Sequence, residues 1–164
     1  MARKPNRADE LTDLEIQVLR QFRLIYGSVK QHFRDVEKQC GISGSQLWLL
    51  REVATTPGTG VSRLAERLSI HQSTCSLLVE KLVGSGFVSK TRSAADQRRV
   101  GLELTPTGEQ LLKTAPGPAE GILPDALKQL PADALQTLNA NLNQLISQMT
   151  LQNENDAEKP LADI

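Results

Sequence analysis

Aromatic residues make up only 3% of this 164-residue chain (three Phe, one Tyr, one Trp), so packing must rest on Leu, Val and Ile. Cysteine is as scarce. Cys40 and Cys75 are too few for a disulfide scaffold and too far apart for a Cys-x-x-Cys redox or zinc motif. The two histidines, His32 and His71, form no His-x-x-x-His pair, so no metal site is expected. Ser43-Gly44-Ser45 and Gly84-Ser85-Gly86 lack both a phosphate-loop lysine and a nucleophile-elbow context. No histidine–carboxylate couple stands out, and the expectation is a protein that is not an enzyme and holds no cofactor. Long apolar runs are missing too: none approaches the roughly 18 residues needed to cross a bilayer. The start, MARKPNRADELTD, has no apolar signal-peptide core. A cytoplasmic chain with no membrane partner is the expectation.

What is present is unevenly charged. The formal net charge is zero, with 19 basic and 19 acidic side chains. Residues 1–60 carry +2, residues 61–104 carry +3 and residues 105–164 carry −5. A mildly basic middle beside an acidic end is compatible with a nucleic-acid-binding module joined to a separate assembly region.

Residues 1–10 are polar and expected to form a flexible arm. From there Leu11, Leu14, Val18, Phe22, Ile25, Val29, Phe33, Val36 and Cys40 recur at the helical period, which predicts one long helix stopped at Gly41. Gly27 lies inside that stripe, where a bend can form. Ser43 or Ser45 can cap a short helix with Leu47, Leu50 and Val53 inward and Trp48 against another helix. Ser62 is the expected cap of the next one, which buries Leu64, Ala65 and Leu68. After a turn at Ser69–His71, a further helix runs through QSTCSLLVEKLV with Cys75, Leu78, Val79 and Leu82 inward. Two alternating segments, Phe87–Arg92 and Val100–Leu104, predict a hairpin joined by the seven-residue loop SAADQRR. Thr105-Pro106 opens another helix, interrupted near Pro116-Gly117-Pro118. Pro131 opens the last, with Leu135, Leu138, Leu142, Leu145 and Met149 on one seam. Residues 152–164 are expected to be a disordered polar tail.

The order helix, turn, helix, hairpin is that of a helix-turn-helix with a two-stranded wing. The second helix of such a pair can enter a major groove roughly 12 Å wide. Its first turn offers His71, Gln72, Ser73, Thr74 and Ser76, all able to hydrogen-bond. Gln can pair bidentately with adenine, and Ser and Thr suit phosphates or base edges. Ordinary capping explains a Ser-Thr helix start equally well, and a protein-interaction module can share this outline. The loop Asp96-Gln97-Arg98-Arg99 tilts the balance. An arginine at a hairpin tip fits the narrow, electronegative minor groove, and Asp96 can orient its guanidinium.

The stretch RLAERLSIHQSTCSLLVEKLVGSGFVSKTRSAADQRRVGLELTPTG resembles the MarR (multiple-antibiotic-resistance regulator) family of winged-helix transcription factors. DQRRVGLELTPTG is similar to that family's Asp-x-Arg signature, followed by a Leu-x-Leu-Thr strand end and a glycine near the next helix. The best match is 63–108, and helix order agrees over roughly 11–150. The resemblance implies a mostly α fold with a small β-hairpin wing: a winged helix-turn-helix lobe over 43–104, with dimerisation helices over 11–42 and 105–151. It makes Arg98 the wing arginine, Asp96 its orienting acid, and Gln72, Ser73, Thr74 and Ser76 the reading face. Ser62, His71, Lys81 and Arg99 complete the expected DNA-binding set. His71 stands where the family often has a small capping residue, and Leu77 where it often has arginine, so fewer phosphates are neutralised.

The implied function is a homodimeric regulator, a repressor of a pseudo-palindromic double-stranded-DNA operator, released by a small aromatic or phenolic effector. Tyr26, His32 and Trp48 are candidate pocket residues, although helical aromatics more often serve as core. Cys75 is the candidate redox residue, with a buried structural thiol as the bland alternative and Cys40 misplaced for sensing. Two alternatives stay open: a winged-helix protein-interaction adaptor that binds no DNA, and a thiol-based redox-sensing regulator.

Overall fold

A computed structural model describes residues 7–92, 100–150 and 154–163. The first helix, α1, spans Arg7–Cys40 without interruption, starting inside the expected arm and passing through Gly27. Gly41 ends it at φ 67°, a conformation that costs a residue with a Cβ more than it costs glycine. Ser43 settles the choice of cap for α2 (Gly44–Thr55). Its hydroxyl accepts from the Gln46 N–H while the Gln46 side chain takes the Ser43 N–H, a complete capping box.

The helix α3 (Val61–Leu68) corrects one expectation. Gly60, not Ser62, is its N-cap, and no side chain caps it; Ser62 lies exposed in the first turn. The helix has already begun at Val61, so the Ser62 hydroxyl arrives too late to meet the first free N–H groups. Ser69 then adopts a left-handed conformation at φ 53°, and the Ile70 N–H donates back to the Ala65 carbonyl at 3.0 Å. This closes α3 in a Schellman-like turn and launches α4 (Gln72–Gly84). The strands β1 (Val88–Arg92) and β2 (Val100–Leu104) pair antiparallel, Val88 opposite Leu104 and Arg92 opposite Val100. Two bonds also tie β2 to the α2–α3 link, from the Gly58 N–H to the Leu102 carbonyl (2.9 Å) and from the Leu102 N–H to the Thr59 carbonyl (3.0 Å).

The core lies in this lobe. Leu47, Leu49, Leu50 and Val53 of α2 meet Leu64 and Leu68 of α3, Cys75, Leu78, Val79 and Leu82 of α4, and Val88 and Leu102 of the hairpin. Beyond it run α5 (Pro106–Thr114), α6 (Ile122–Lys128) and α7 (Ala132–Ser147), with the expected break falling between α5 and α6. Outside the lobe, long stretches of α1 and α7 are bare. Every residue from Leu11 to Ser28 is exposed, including Leu11, Leu14, Leu19, Phe22 and Ile25, and on α7 Leu135, Leu145 and Ile146 are exposed as well. No described helix is long and apolar enough to cross a membrane.

The C-terminal segment departs from the expected disorder. Glu154–Glu158 and Leu161–Asp163 form two short 3-10 helices, with Pro160 buried between them. Its local sequence is polar, and it is tertiary contact with the lobe that orders it.

Candidate nucleic-acid interface

The inward residues of α4 (Cys75, Leu78, Val79 and Leu82) fix the helix on the core. At roughly 100° per residue the opposite face is then centred on Ser73, Leu77 and Glu80, flanked by Ser76 and Lys81. Gln72 and Ser73 are exposed in the first turn, while Thr74 and Ser76 are half-buried. Lys81 is exposed too, but it sits some two and a half turns further along, nearer the wing than the first turn. Thus Gln72, Ser73 and Ser76 gather at one helix end, and Lys81 continues their stripe from a distance. Leu77 is 65% exposed in the middle of that stripe.

Glu80 is a member of this face that sequence reasoning missed. An acid there would repel phosphates, yet its carboxylate is held by the Lys90 ammonium of β1. The pair offsets that charge and braces α4 against the wing. A helical-wheel count alone would have found Glu80, but not the lysine that neutralises it. Behind α4, the Arg67 guanidinium bonds to Glu52 at 2.7 Å, pinning α3 to α2, and Arg63 pairs with Glu66 at 2.9 Å in a well-exposed contact.

His71 is the N-cap of α4 but contributes no capping bond. Its Nε2 instead meets a Glu158 carboxylate oxygen at 2.6 Å, and its N–H donates to the Glu158 carbonyl at 3.4 Å. Asp96, Arg98 and Arg99 lie outside the described residues, although the strands that launch their loop are in place.

The candidate pocket and redox residues fare less well. Tyr26 is 65% exposed on α1 with the Lys30 ammonium 5.4 Å from its ring centre, His32 is buried against Phe33, and Trp48 is half-buried beside the core. None of the three lines either of two clefts among the described residues. One cleft, of about 670 Å³, opens between α2, β2 and α5 and is lined by Arg51, Val53, Ala54, Pro57, Glu103, Leu104, Glu109, Leu112 and Lys113. The other, of about 240 Å³, is an apolar groove between α1 and α6. Residue type alone could not reveal that Tyr26 stays open to solvent while His32 is buried. Cys75 is fully buried, its thiol directed at the Val61 carbonyl at 3.6 Å, and burial pushes its pKa up from 9.0 to about 11. At neutral pH it is a thiol and not the thiolate that oxidant sensing requires, which argues for the structural role.

Residues 42–100 match the MarR family model. Over 103 residues the chain is 27% identical to the HTH-type transcriptional repressor MdtR of Bacillus subtilis, covering 62% of this chain and 64% of MdtR. A second relative, from Thauera aromatica, is 29% identical over 83 residues. The chain thus spans less than two thirds of the length of either relative. Among solved structures, the transcriptional regulator BldR from Sulfolobus solfataricus is 26% identical with a TM-score of 0.50, covering 88% of this chain and all of BldR. A mutant MarR from E. coli, solved in complex with operator DNA, shares the fold at 20% identity and TM-score 0.51, covering 79% of this chain and 95% of its own.

Proposed function

We propose that this chain, whose residues 42–100 match the MarR family model, is a homodimeric, sequence-specific, double-stranded-DNA-binding regulator of transcription, acting in the cytoplasm as a repressor. The observation that carries this reading is the polar first turn of α4, with Gln72 and Ser73 exposed, on a helix whose far end leads into a two-stranded wing. Gln72 reads a base edge, Ser73 and Ser76 take phosphate or base contacts, and Leu77 packs on a thymine methyl group. Arg98 enters the minor groove, held by Asp96, with Arg99 and Lys81 on the phosphates.

The exposed apolar faces of α1 and α7 support the dimer. A monomer rarely leaves more than a few hundred Å² of contiguous apolar surface in water, and two-fold pairing would bury these faces against their copies. Such a dimer predicts half-sites about one helical turn apart. Release requires an effector that favours the lobe spacing DNA cannot accept. We place it in the 670 Å³ cleft, because that cleft joins the lobe (α2, β2) to the dimer region (α5) and sets two cations, Arg51 and Lys113, and two carboxylates, Glu103 and Glu109, around an apolar floor, a match for a small aromatic or phenolic compound.

The test is to select bound fragments from genomic DNA and measure their affinity for the parent, Gln72→Ala and Arg98→Ala. Each substitution is expected to cost about 1–3 kcal/mol of specific binding while the fold is kept. Failure to enrich any duplex, or unchanged affinity in both folded variants, overturns the reading. The exposure of Leu77 favours one competitor, a protein-binding adaptor. Steep weakening of duplex binding with rising salt decides against it.

A further inference from the structure

The acidic C-terminal segment is folded onto the very helix end that the DNA-binding reading uses. Between Glu154 and Asp163 lie four carboxylates and one lysine, Lys159. Glu158 holds the His71 imidazole at 2.6 Å, and its carbonyl accepts from the His71 N–H at 3.4 Å, immediately before Gln72. Two features anchor this contact. Pro160 is buried, and Ala162 sits so close to the first residue of α2 that a Cβ on Gly44 would lie 3.3 Å from its methyl. Within the segment, the Lys159 ammonium is engaged by Asp156 at 2.7 Å and is drawn away from any outside anion.

The first turn of a helix presents unpaired N–H groups and a positive dipole end, which suits an anion. Here the chain's own Glu158 carboxylate stands beside that end, on the imidazole of the N-cap residue His71, while the first-turn N–H groups receive no side-chain cap. A DNA phosphate approaching His71, Gln72 and Ser73 would meet both an occupied contact and a segment carrying net negative charge. We propose that the segment Glu154–Asp163 is a built-in competitor of duplex DNA, which must leave the N-terminal end of α4 before a phosphate backbone can take its place. This rests on the DNA-binding reading above and adds a brake to it. The contact is exposed on both sides, so the brake is weak: it lowers the affinity for every duplex by the same modest factor, which a good operator still overcomes.

The experiment uses the full chain and a fluorescent mixed-sequence duplex of about 30 base pairs in about 50 mM KCl. Glu158→Gln is expected to bind about fivefold more tightly than the parent. Asp133→Asn, which removes one negative charge from α7, is the charge-matched control and is expected to leave affinity unchanged. Hydrogen exchange of residues 154–163 is expected to speed up when the duplex is added. Measurable binding that is equal in parent and Glu158→Gln overturns the brake and leaves the DNA reading standing. An equal gain in Asp133→Asn, or exchange indifferent to the duplex, likewise overturns it. If no variant binds the duplex, both readings fall together.

Discussion

Replacing Gly108 by alanine separates local propensity from tertiary packing, because the two predict opposite signs. Gly108 lies in the first turn of α5, where alanine is favoured over glycine by about 1 kcal/mol. On propensity alone the variant is more stable. In the fold, however, Gly108 is buried against the Phe87 main chain that enters β1. A Cβ there would overlap the Phe87 carbonyl oxygen and stand 3.1 Å from its carbon, and both are backbone atoms that cannot rotate away. The same carbonyl already accepts the Thr105 N–H at 3.1 Å, while the Thr105 hydroxyl donates to the Gly86 carbonyl at 2.6 Å and accepts the Gly108 N–H at 3.1 Å. Making room means parting β1 from α5 and loosening this cluster. Overpacking at about 1–3 kcal/mol, with about 1 kcal/mol for each weakened bond, outweighs the helical gain and leaves a net loss of about 2–4 kcal/mol. That corresponds to a fall in Tm of about 5–12 °C for a chain of this size. Urea unfolding followed by far-UV circular dichroism measures it, at one fixed chain concentration because association feeds into stability. Thr107→Ala, exposed one residue earlier, is the control for propensity. A Gly108→Ala protein as stable as the parent, or more so, would refute the reasoning.

Two further outcomes rest on burial in the same fold. Leu19, 52% exposed in the single chain, is expected to sit in the dimer seam. Leu19→Glu would place a carboxylate there in both subunits and weaken association by at least about a hundredfold. Light scattering after size exclusion reads this, and a variant that stays dimeric at low micromolar concentration contradicts the assigned face. Cys75, whose pKa is raised from 9.0 to about 11, holds its proton more tightly folded than unfolded. Its contribution to stability is therefore fully present below pH 9 and is lost as pH rises towards 11. The unfolding free energy of the parent should fall across that window more steeply than that of Cys75→Ala, and parallel curves count against a protonated buried thiol.

Much of the architecture was legible in the residues themselves. The period of Leu11 to Cys40 specified one long helix, Gly41 its end, Thr105-Pro106 the start of α5, and the alternation of Val100–Leu104 a strand. These features depend on neighbours a few residues away, and so they survive being read in one dimension. The outward stripe of α4 was likewise readable, because the buried stripe of Cys75, Leu78, Val79 and Leu82 dictates its opposite. Ser62 misled because a serine near a helix start is a plausible cap at either of two positions, and only the backbone at Gly60 chose between them.

The remainder was decided in three dimensions. That Lys90 neutralises Glu80, that Tyr26 stays exposed while His32 is buried, and that Cys75 is shut away from solvent all follow from how the elements pack. The polar C-terminal segment is the plainest case. Nothing in its composition favours order, since it has too little apolar surface of its own to offset the entropy of fixing its chain. It is held because the lobe supplies what it lacks: a place to bury Pro160, an imidazole for Glu158 and a glycine beside Ala162. Local pattern determines which helices and strands form, whereas partners distant in sequence determine which surfaces stay open, because a contact across the fold leaves no periodic trace in either segment that makes it.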